Sequence, residues 1–406
     1  MDARPVRFGV IGIHGFSRAH IGSILALADA DPGVRLGAAA AYQRELDPAY
    51  AARLEAQGVR LVPGVEELLS LGPQSLDVIT VPTGIGLHVP FSVQGLRRGF
   101  AVLVEKPVAG TVQEVDELRA ARDGAGRPVL VGFQYMYMDY VRRLKQALLE
   151  GRIGRVREVR GLVCWPRPAS YYRRNSWAGR LQQEGRWVLD SPIQNACAHY
   201  LLLCLYFADD GSPGVAEPSR VRAELYRANP IESADTVSLE VETATGVRVL
   251  FLTTHASSER IDPLIGIIGD TGQASFELAG ATVTTAGGTE RWPCESAPMN
   301  PFRAMVEVLR GSTAAAQCSL EMARPQTVAV NAAHLSSPVR PVPERFISRE
   351  PAANPQDVQC CISGIVPAFR EAFERGVSAS ALGTLDWARM GEWVDARGVD
   401  RFPGPL

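Results

Sequence analysis

The chain has 406 residues, 46% hydrophobic and 21% charged, enough apolar content for the cores of two or three domains. Its net charge is −2 and no long basic run appears, so neither nucleic acid nor an anionic membrane is expected as a partner. The seven cysteines (164, 197, 204, 294, 318, 360 and 361) lack metal or redox spacing, and no apolar run approaches the roughly twenty residues of a membrane span. No metal site is expected. The N-terminus runs directly into an apolar strand without a leader pattern, which fits a reduced, cytoplasmic protein.

Val6–Ile11 reads as a buried strand that leads into Gly12-Ile13-His14-Gly15-Phe16-Ser17. Beyond it, Ile21, Ile24, Leu25 and Ala28 share one helical face. Pro32-Gly33 stops that helix, and Val34–Ala41 is the second strand. A helix follows with Asp47 as N-cap, Pro48 in its first turn and Gly58 beyond its end. Strands at Val59–Val62, Asp77–Val81, Ala101–Glu105 and Pro128–Gly132 alternate with helices over Glu66–Leu71, up to Gly99, and from a Thr111/Glu114 capping box to about Asp123. Such alternation predicts a doubly wound parallel sheet.

The texture then changes. A helix over Tyr137–Glu150 and a strand over Val156–Cys164 precede an irregular aromatic and arginine-rich loop, Tyr171–Gly185. Asp190–Phe207 reads as helical from Gln194 onward. Period-two alternation at Val221, Ala223, Leu225, at Val237, Leu239, Val241 and at Val247, Val249, Phe251 predicts a largely antiparallel open sheet, hence an α+β second domain. A helix over Ser319–Leu335, a proline-rich linker or wrapping arm at Ser337–Pro355, and a helical segment over Val358–Arg375 complete the chain.

Three features carry chemistry. The glycine turn lies between strand and helix, as a dinucleotide site requires, but His14 and Ser17 stand where glycines are usual. The second strand ends Ala41-Tyr42-Gln43-Arg44, with no carboxylate for a ribose hydroxyl, so Arg44 is suited to a 2′-phosphate or to stacking on adenine. NAD and NADP are not distinguished. In Ala101–Pro107, A-V-L-V-E-K-P, Pro107 restricts Lys106 to extended backbone at the carboxyl edge of the sheet. A lysine there is either a surface charge or an electrophile facing a substrate.

Gly12…His20, Thr83-Gly84-x-x-Leu87-His88, Glu105-Lys106-Pro107 and Gly132-Phe133 together resemble the Gfo/Idh/MocA family of NAD(P)-dependent oxidoreductases over nearly the whole first domain. The resemblance implies a Rossmann domain, placed at 1–132, and an α+β domain at 133–406 with a C-terminal extension. It also implies a homodimer or homotetramer through the C-terminal sheet, and a sugar or polyol as substrate. Lys106 matches the family lysine beside the nicotinamide. Asn195-Ala-Cys-Ala-His199 fits an Asp-x-x-x-His pair on one helical face, with His199 as acid or base, Asn195 as a departure and Asp190 as a substitute carboxylate. Cofactor contacts fall to Gly12, His14, Gly15, Phe16, Ser17, Tyr42, Arg44, Thr83, His88 and Glu105, and substrate contacts to Gln134, Tyr135, Tyr172, Arg174, Trp177 and Asp190. Two rivals remain: a non-catalytic sensor or scaffold, suggested by the altered positions His14, Ser17, Ala41 and Asn195, and a lyase, epimerase or hydrolase using transient oxidation by bound cofactor.

Overall fold

The computed structural model describes residues 4–211, 214–294, 300–312 and 318–406, which divide into two compact units. Residues 1–109, 114–137 and 296–321 form the first, and residues 110–113, 138–295 and 322–406 the second.

The first unit is built on β1 (Val6–Ile11), β2 (Val34–Ala40), β3 (Arg60–Val62), β4 (Val78–Val81), β5 (Ala101–Val104) and β6 (Val129–Val131), all parallel in the order β3-β2-β1-β4-β5-β6. Its helices are α1 (Ser17–Ala30), α2 (Pro48–Ala56), α3 (Val65–Ser70), α4 (Ile85–Arg97) and α5 (Val112–Ala125), later joined by α9 (Asn300–Leu309). This is the Rossmann strand order, and it places a switch point between β1 and β4 at the strands' carboxyl ends. The expected cap is present: Asp47 accepts the Tyr50 N–H at 3.0 Å, with Pro48 in the first turn of α2. Every residue of β4 and β5 is buried.

In the second unit, α6 (Asp139–Leu149), β7 (Val156–Cys164), α7 (Ala169–Arg173), a minimal hairpin of β8 (Gln182–Gln183) and β9 (Arg186–Trp187), and α8 (Ala198–Ala208) precede the main run of strands. These are β10 (Pro218–Arg227), β11 (Thr236–Thr243), β12 (Arg248–Thr254), β13 (Ile261–Gly269), β14 (Gly272–Glu277), β15 (Gly280–Thr285) and β16 (Gly288–Pro293). Then come α10 (Leu320–Ser336), β17 (Val339–Pro341), β18 (Ile347–Pro351), β19 (Val358–Ile362), α11 (Ile365–Arg375) and β20 (Val394–Asp395). The large sheet runs β16-β15-β14-β13-β7-β12-β11-β10-β17 and is mostly antiparallel, with β12–β7 and β10–β17 parallel.

Both faces of the middle strands are covered. Val221, Ala223, Leu225, Val237, Leu239, Val241, Val249 and Phe251 are wholly buried and share one face. Helix α8 lies there, and a Cβ on Gly161 would stand 2.9 Å from the Cys204 sulfur. Lys145 of α6 closes the C-terminal end of α8 by donating to the Tyr206 carbonyl at 2.7 Å, as cations do at helix C-termini.

The opposite face takes the chain's own C-terminal residues. In register across the sheet, Glu224, Ser238, Leu252 and Leu162 form one row. Ser380 donates to Glu224 at 2.9 Å and the Ala379 N–H to Ser238 at 3.2 Å, while Val366, Phe369 and Ala372 join Leu162, Leu250 and Leu252 in one buried cluster. One row over, Arg160 donates to the carbonyls of Phe373 and Glu374 at the end of α11, at 3.0 and 2.6 Å. The homodimer or homotetramer expected through this sheet therefore meets, at β10, β11, β12 and β7, a face already occupied. Beyond them β14 and β15 turn Gln273, Ser275, Thr282 and Thr284 outward, and that polar part stays open.

Two local expectations are corrected. Val358–Ile362 is strand, pairing antiparallel with Ile347–Pro351, and the last helix begins only at Ile365. Asn195 precedes α8 in a turn, its N–H bonded to the Ser191 carbonyl at 2.9 Å, and His199 lies in the helix's first turn.

Phe369 is 1% exposed between sheet and arm, so Phe369→Ala should lower stability by about 3–5 kcal/mol in chemical denaturation. His334 is fully buried, and among the described residues neither ring nitrogen has a hydrogen-bond partner. Burial pushes it down to about 4. Unfolded, it takes up a proton near pH 6.5, so its penalty is absent at neutral pH and grows as the pH falls from about 6.5 to 4. His334→Leu should remove about 2 kcal/mol of the acid destabilisation at pH 5, seen as a flatter profile of melting temperature against pH.

Candidate active site

In the first unit the glycine turn leaves β1 and enters α1. Gly12 has φ 96°, and a Cβ there would lie 2.7 Å from Ser17 Oγ and 3.2 Å from the Tyr42 hydroxyl. Only glycine fits that position. The two unusual side chains turn onto backbone: Ser17 Oγ donates to the Ile11 carbonyl at 3.0 Å, and His14 Nε2 lies 2.9 Å from the Gln43 carbonyl. A Cβ on Gly15 (φ 57°) would meet nothing within 4 Å, so the turn presents backbone to open space at the start of α1. Phe16 is exposed beside it, and Arg44 faces Glu55 of α2 at 3.4 Å.

The strand ends that carry Lys106 are braced from behind. His88 is 1% exposed, with Nδ1 2.7 Å from the Pro107 carbonyl and Nε2 3.0 Å from the Thr83 carbonyl. A neutral imidazole has one N–H for these two acceptors, and burial lowers the ring's pKa below its ordinary value. His88 thus ties the loop after β4 to the turn after β5. Glu105 is equally engaged: Oε1 lies 3.0 Å from His20 Nε2, and Oε2 accepts the Lys106 N–H at 3.1 Å. A Cβ on Gly132 would stand 2.5 Å from Glu105 Oε1, which accounts for the glycine after β6. Gln134 and Tyr135, half-buried, follow in a short 3₁₀ turn.

In the second unit the organiser is Asp190, 4% exposed. Its Oδ1 accepts Asn195 Nδ2 at 2.8 Å, its Oδ2 accepts the Gly179 N–H at 2.7 Å, and Arg174 stands 3.8 Å away. Arg174 stacks 3.6 Å over the Tyr171 ring and 5.2 Å from Trp177. Asp190, Asn195, Arg174 and Trp177 are thus brought together, and His199 follows Asn195 by one helical turn. Gln326, invisible to sequence reading, braces this segment by donating to the Ile193 carbonyl at 2.9 Å. Asn331 clasps backbone, accepting from the Val112 N–H at 3.0 Å and donating to the Gly110 carbonyl at 2.9 Å. His255 is tethered to the Trp165 carbonyl at 2.9 Å, and burial with Arg167 nearby pushes it down to about 3, so it stays neutral.

Residues 6–133 match the model of an oxidoreductase family with an NAD-binding Rossmann fold, and residues 141–275 match the GFO/IDH/MocA C-terminal domain. The chain belongs to the Gfo/Idh/MocA family. Among curated Gfo/Idh/MocA relatives, dTDP-3,4-didehydro-2,6-dideoxy-alpha-D-glucose 3-reductase of Streptomyces antibioticus is 30% identical over 41% of this chain and 48% of its own length. Inositol 2-dehydrogenase 2 of Saccharopolyspora erythraea is 28% identical over 48% of this chain and 57% of its own. The chain thus spans about half the length of these relatives. The WlbA dehydrogenase of Bordetella pertussis, solved with NADH and UDP-GlcNAcA, superposes at TM-score 0.64 and 23% identity over 81% of this chain and 95% of its own. Levoglucosan dehydrogenase with NADH does so at 0.67 and 18%, over 81% and 96%. Both likenesses concern the fold.

The glycine turn fits the cofactor of a Gfo/Idh/MocA protein. Its departures, His14 and Ser17, do not fill the cradle, because both side chains are drawn onto carbonyls. Gly12→Ala should weaken NAD(H) binding at least about tenfold in calorimetry, since its Cβ would displace Ser17 or Tyr42 at a positive φ.

Proposed function

We propose that this protein is an NAD(P)-dependent dehydrogenase or reductase that moves a hydride between the nicotinamide and a carbon bearing a secondary hydroxyl of a sugar, polyol or related small molecule. The observation that carries this reading is the Asp190–Asn195 contact at 2.8 Å, which brings a buried carboxylate to Asn195, four residues before His199 and itself without charge. The activities named for the dTDP-sugar reductase and the inositol dehydrogenase support the substrate class.

The bound nicotinamide supplies or accepts the hydride. The turn Gly12–Ser17 would hold the cofactor's pyrophosphate, with Tyr42 and Arg44 for its adenosine and Thr83 and His88 for its nicotinamide end. In oxidation, His199 takes the proton of the substrate hydroxyl, and in reduction it returns it. The Lys106 ammonium stabilises the negative charge that grows on that oxygen. Asn195, its amide nitrogen held by Asp190, uses its amide oxygen to orient His199 or the hydroxyl. Gln134, Tyr135, Tyr172, Arg174 and Trp177 contact the rest of the substrate.

Lys106→Ala and His199→Ala should each lower kcat by about 10²–10⁴, with unchanged melting temperature and NAD(H) affinity. Asp190→Asn should lower it less, by about tenfold, because an amide keeps one oxygen for the two donors, Asn195 Nδ2 and the Gly179 N–H, that the carboxylate accepts. A double Lys106/His199 variant that turns over at the wild-type rate would remove both assignments.

A further inference from the structure

The second unit contains a cavity of about 770 Å³, in which the hydride-transfer reading gives a role only to Tyr172. One wall is the segment carrying Tyr172, Arg173, Gly179 and Arg180, and the other is the turn after β10, Arg227 to Glu232. Its size falls within the range of small-molecule sites.

The second wall is held rigidly. Asp235 is fully buried and accepts the N–H groups of Ala228 and Asn229 at 2.9 and 2.8 Å, together with Asn229 Nδ2 at 2.8 Å. The N–H groups of Glu232 and Ser233 both donate to the Gly179 carbonyl at 2.9 Å, joining the walls. Gly179 is obligatory here, for at φ 71° a Cβ would lie 2.7 Å from Ile231 and 3.1 Å from the Tyr172 ring. The same Gly179 donates its N–H to Asp190, so the cavity wall is one hydrogen bond from the carboxylate that holds Asn195.

The charge of the lining is unbalanced. Three guanidinium groups, of Arg173, Arg180 and Arg227, face one carboxylate, that of Glu232, a surplus of two positive charges. Arg180 stands 3.4 Å from Glu232, and Arg173 3.7 Å from Asp357. Half-buried Arg227 donates from one nitrogen to the Ile231 carbonyl at 2.7 Å, and among the described residues no carboxylate pairs with it. A guanidinium without a carboxylate, in a lining with surplus positive charge beside one preformed cavity, matches the oxygens of an anion.

We propose that this cavity is an anion subsite that takes the phosphate or carboxylate of the substrate, so that the protein acts on an acidic sugar derivative and not on a neutral sugar. The proposal rests on the hydride-transfer reading for the word substrate, but not for the binding itself. Arg227 forms the charge-assisted contact, and Arg173 and Arg180 set the field at the mouth. The sugar end of such a molecule would lie toward Asp190 and Asn195.

The test is calorimetric titration of the full chain at low ionic strength, with NADH saturating so that the glycine turn is filled. The probes are inorganic pyrophosphate, D-glucuronate and D-glucose. We expect one site per chain for pyrophosphate, for glucuronate or for both, which separates a phosphate from a carboxylate ligand, and no saturable binding of glucose. Arg227→Gln should weaken that binding at least about tenfold. Because Arg227 also steadies its own turn, Arg180→Gln on the opposite wall provides a second arm, expected to weaken binding about threefold with an unchanged melting curve. Absence of saturable anion binding, equal affinity in wild type and both variants, or equal binding of glucose overturns the subsite. NADH affinity, read in the same instrument, reports separately on the oxidoreductase reading: an anion site lost while NADH still binds sinks only this proposal, and the reverse result sinks only the other.

Discussion

A buried imidazole holds the first unit's working edge in shape. His88 sits between two carbonyls, those of Thr83 and Pro107, and so couples the loop after one central strand to the turn after the next. Lys106 lies within that turn, and its own N–H is taken by Glu105, which in turn meets His20 of the first helix. The lysine's backbone is therefore fixed by contacts on neighbouring elements before any ligand arrives. Preorganisation of this kind makes a charge effective, since no free energy is spent aligning it at the moment of reaction.

The second unit solves a different problem by similar means. Asn195 has no charge to lend, and its amide donates to a buried carboxylate five residues upstream, that of Asp190. Asp190 is buried, which would be costly for an isolated anion. Gly179, Asn195 and Arg174 surround it and offset that cost. On the proposed reading, the departure at Asn195, which by itself favours a sensor or scaffold, is compensated within one segment. The same holds at the glycine turn, where His14 and Ser17 are absorbed by backbone carbonyls.

Much of this was legible in the sequence, and the exceptions share a cause. Continuous apolar strands punctuated by glycine and proline revealed the parallel sheet, because burial on both faces leaves only Thr80 as a polar residue in β4 and β5. Period-two alternation revealed β10 to β12 because their faces differ: one is uniformly apolar against α8, while the other mixes apolar and polar residues that meet the C-terminal segment. Val358–Ile362 misled because its helical reading came from the apolar spacing that continues into α11, while its strand partner, Ile347–Pro351, is specified by pairing and not by composition. Asp190 was visible as a spare carboxylate in D-S-P, whereas Gln326 and Arg227 were not, since their meaning comes from loops far away in the chain. The proline-rich arm was recognisable as wrapping something, but only register shows which strands it wraps.

That arm has a consequence for how the protein is made. Strand β7 ends at Cys164, and the helix that covers its outer face begins at Ile365, about 200 residues later. At a synthesis rate of roughly 5–20 residues per second, Leu162, Leu250 and Leu252 wait for their cover on the order of ten seconds or more after the first strand has emerged. During that interval the nascent sheet exposes a greasy surface to the ribosome's surroundings, and the arrival of α11 ends the exposure. Maturation of this domain is thus timed by translation of its tail.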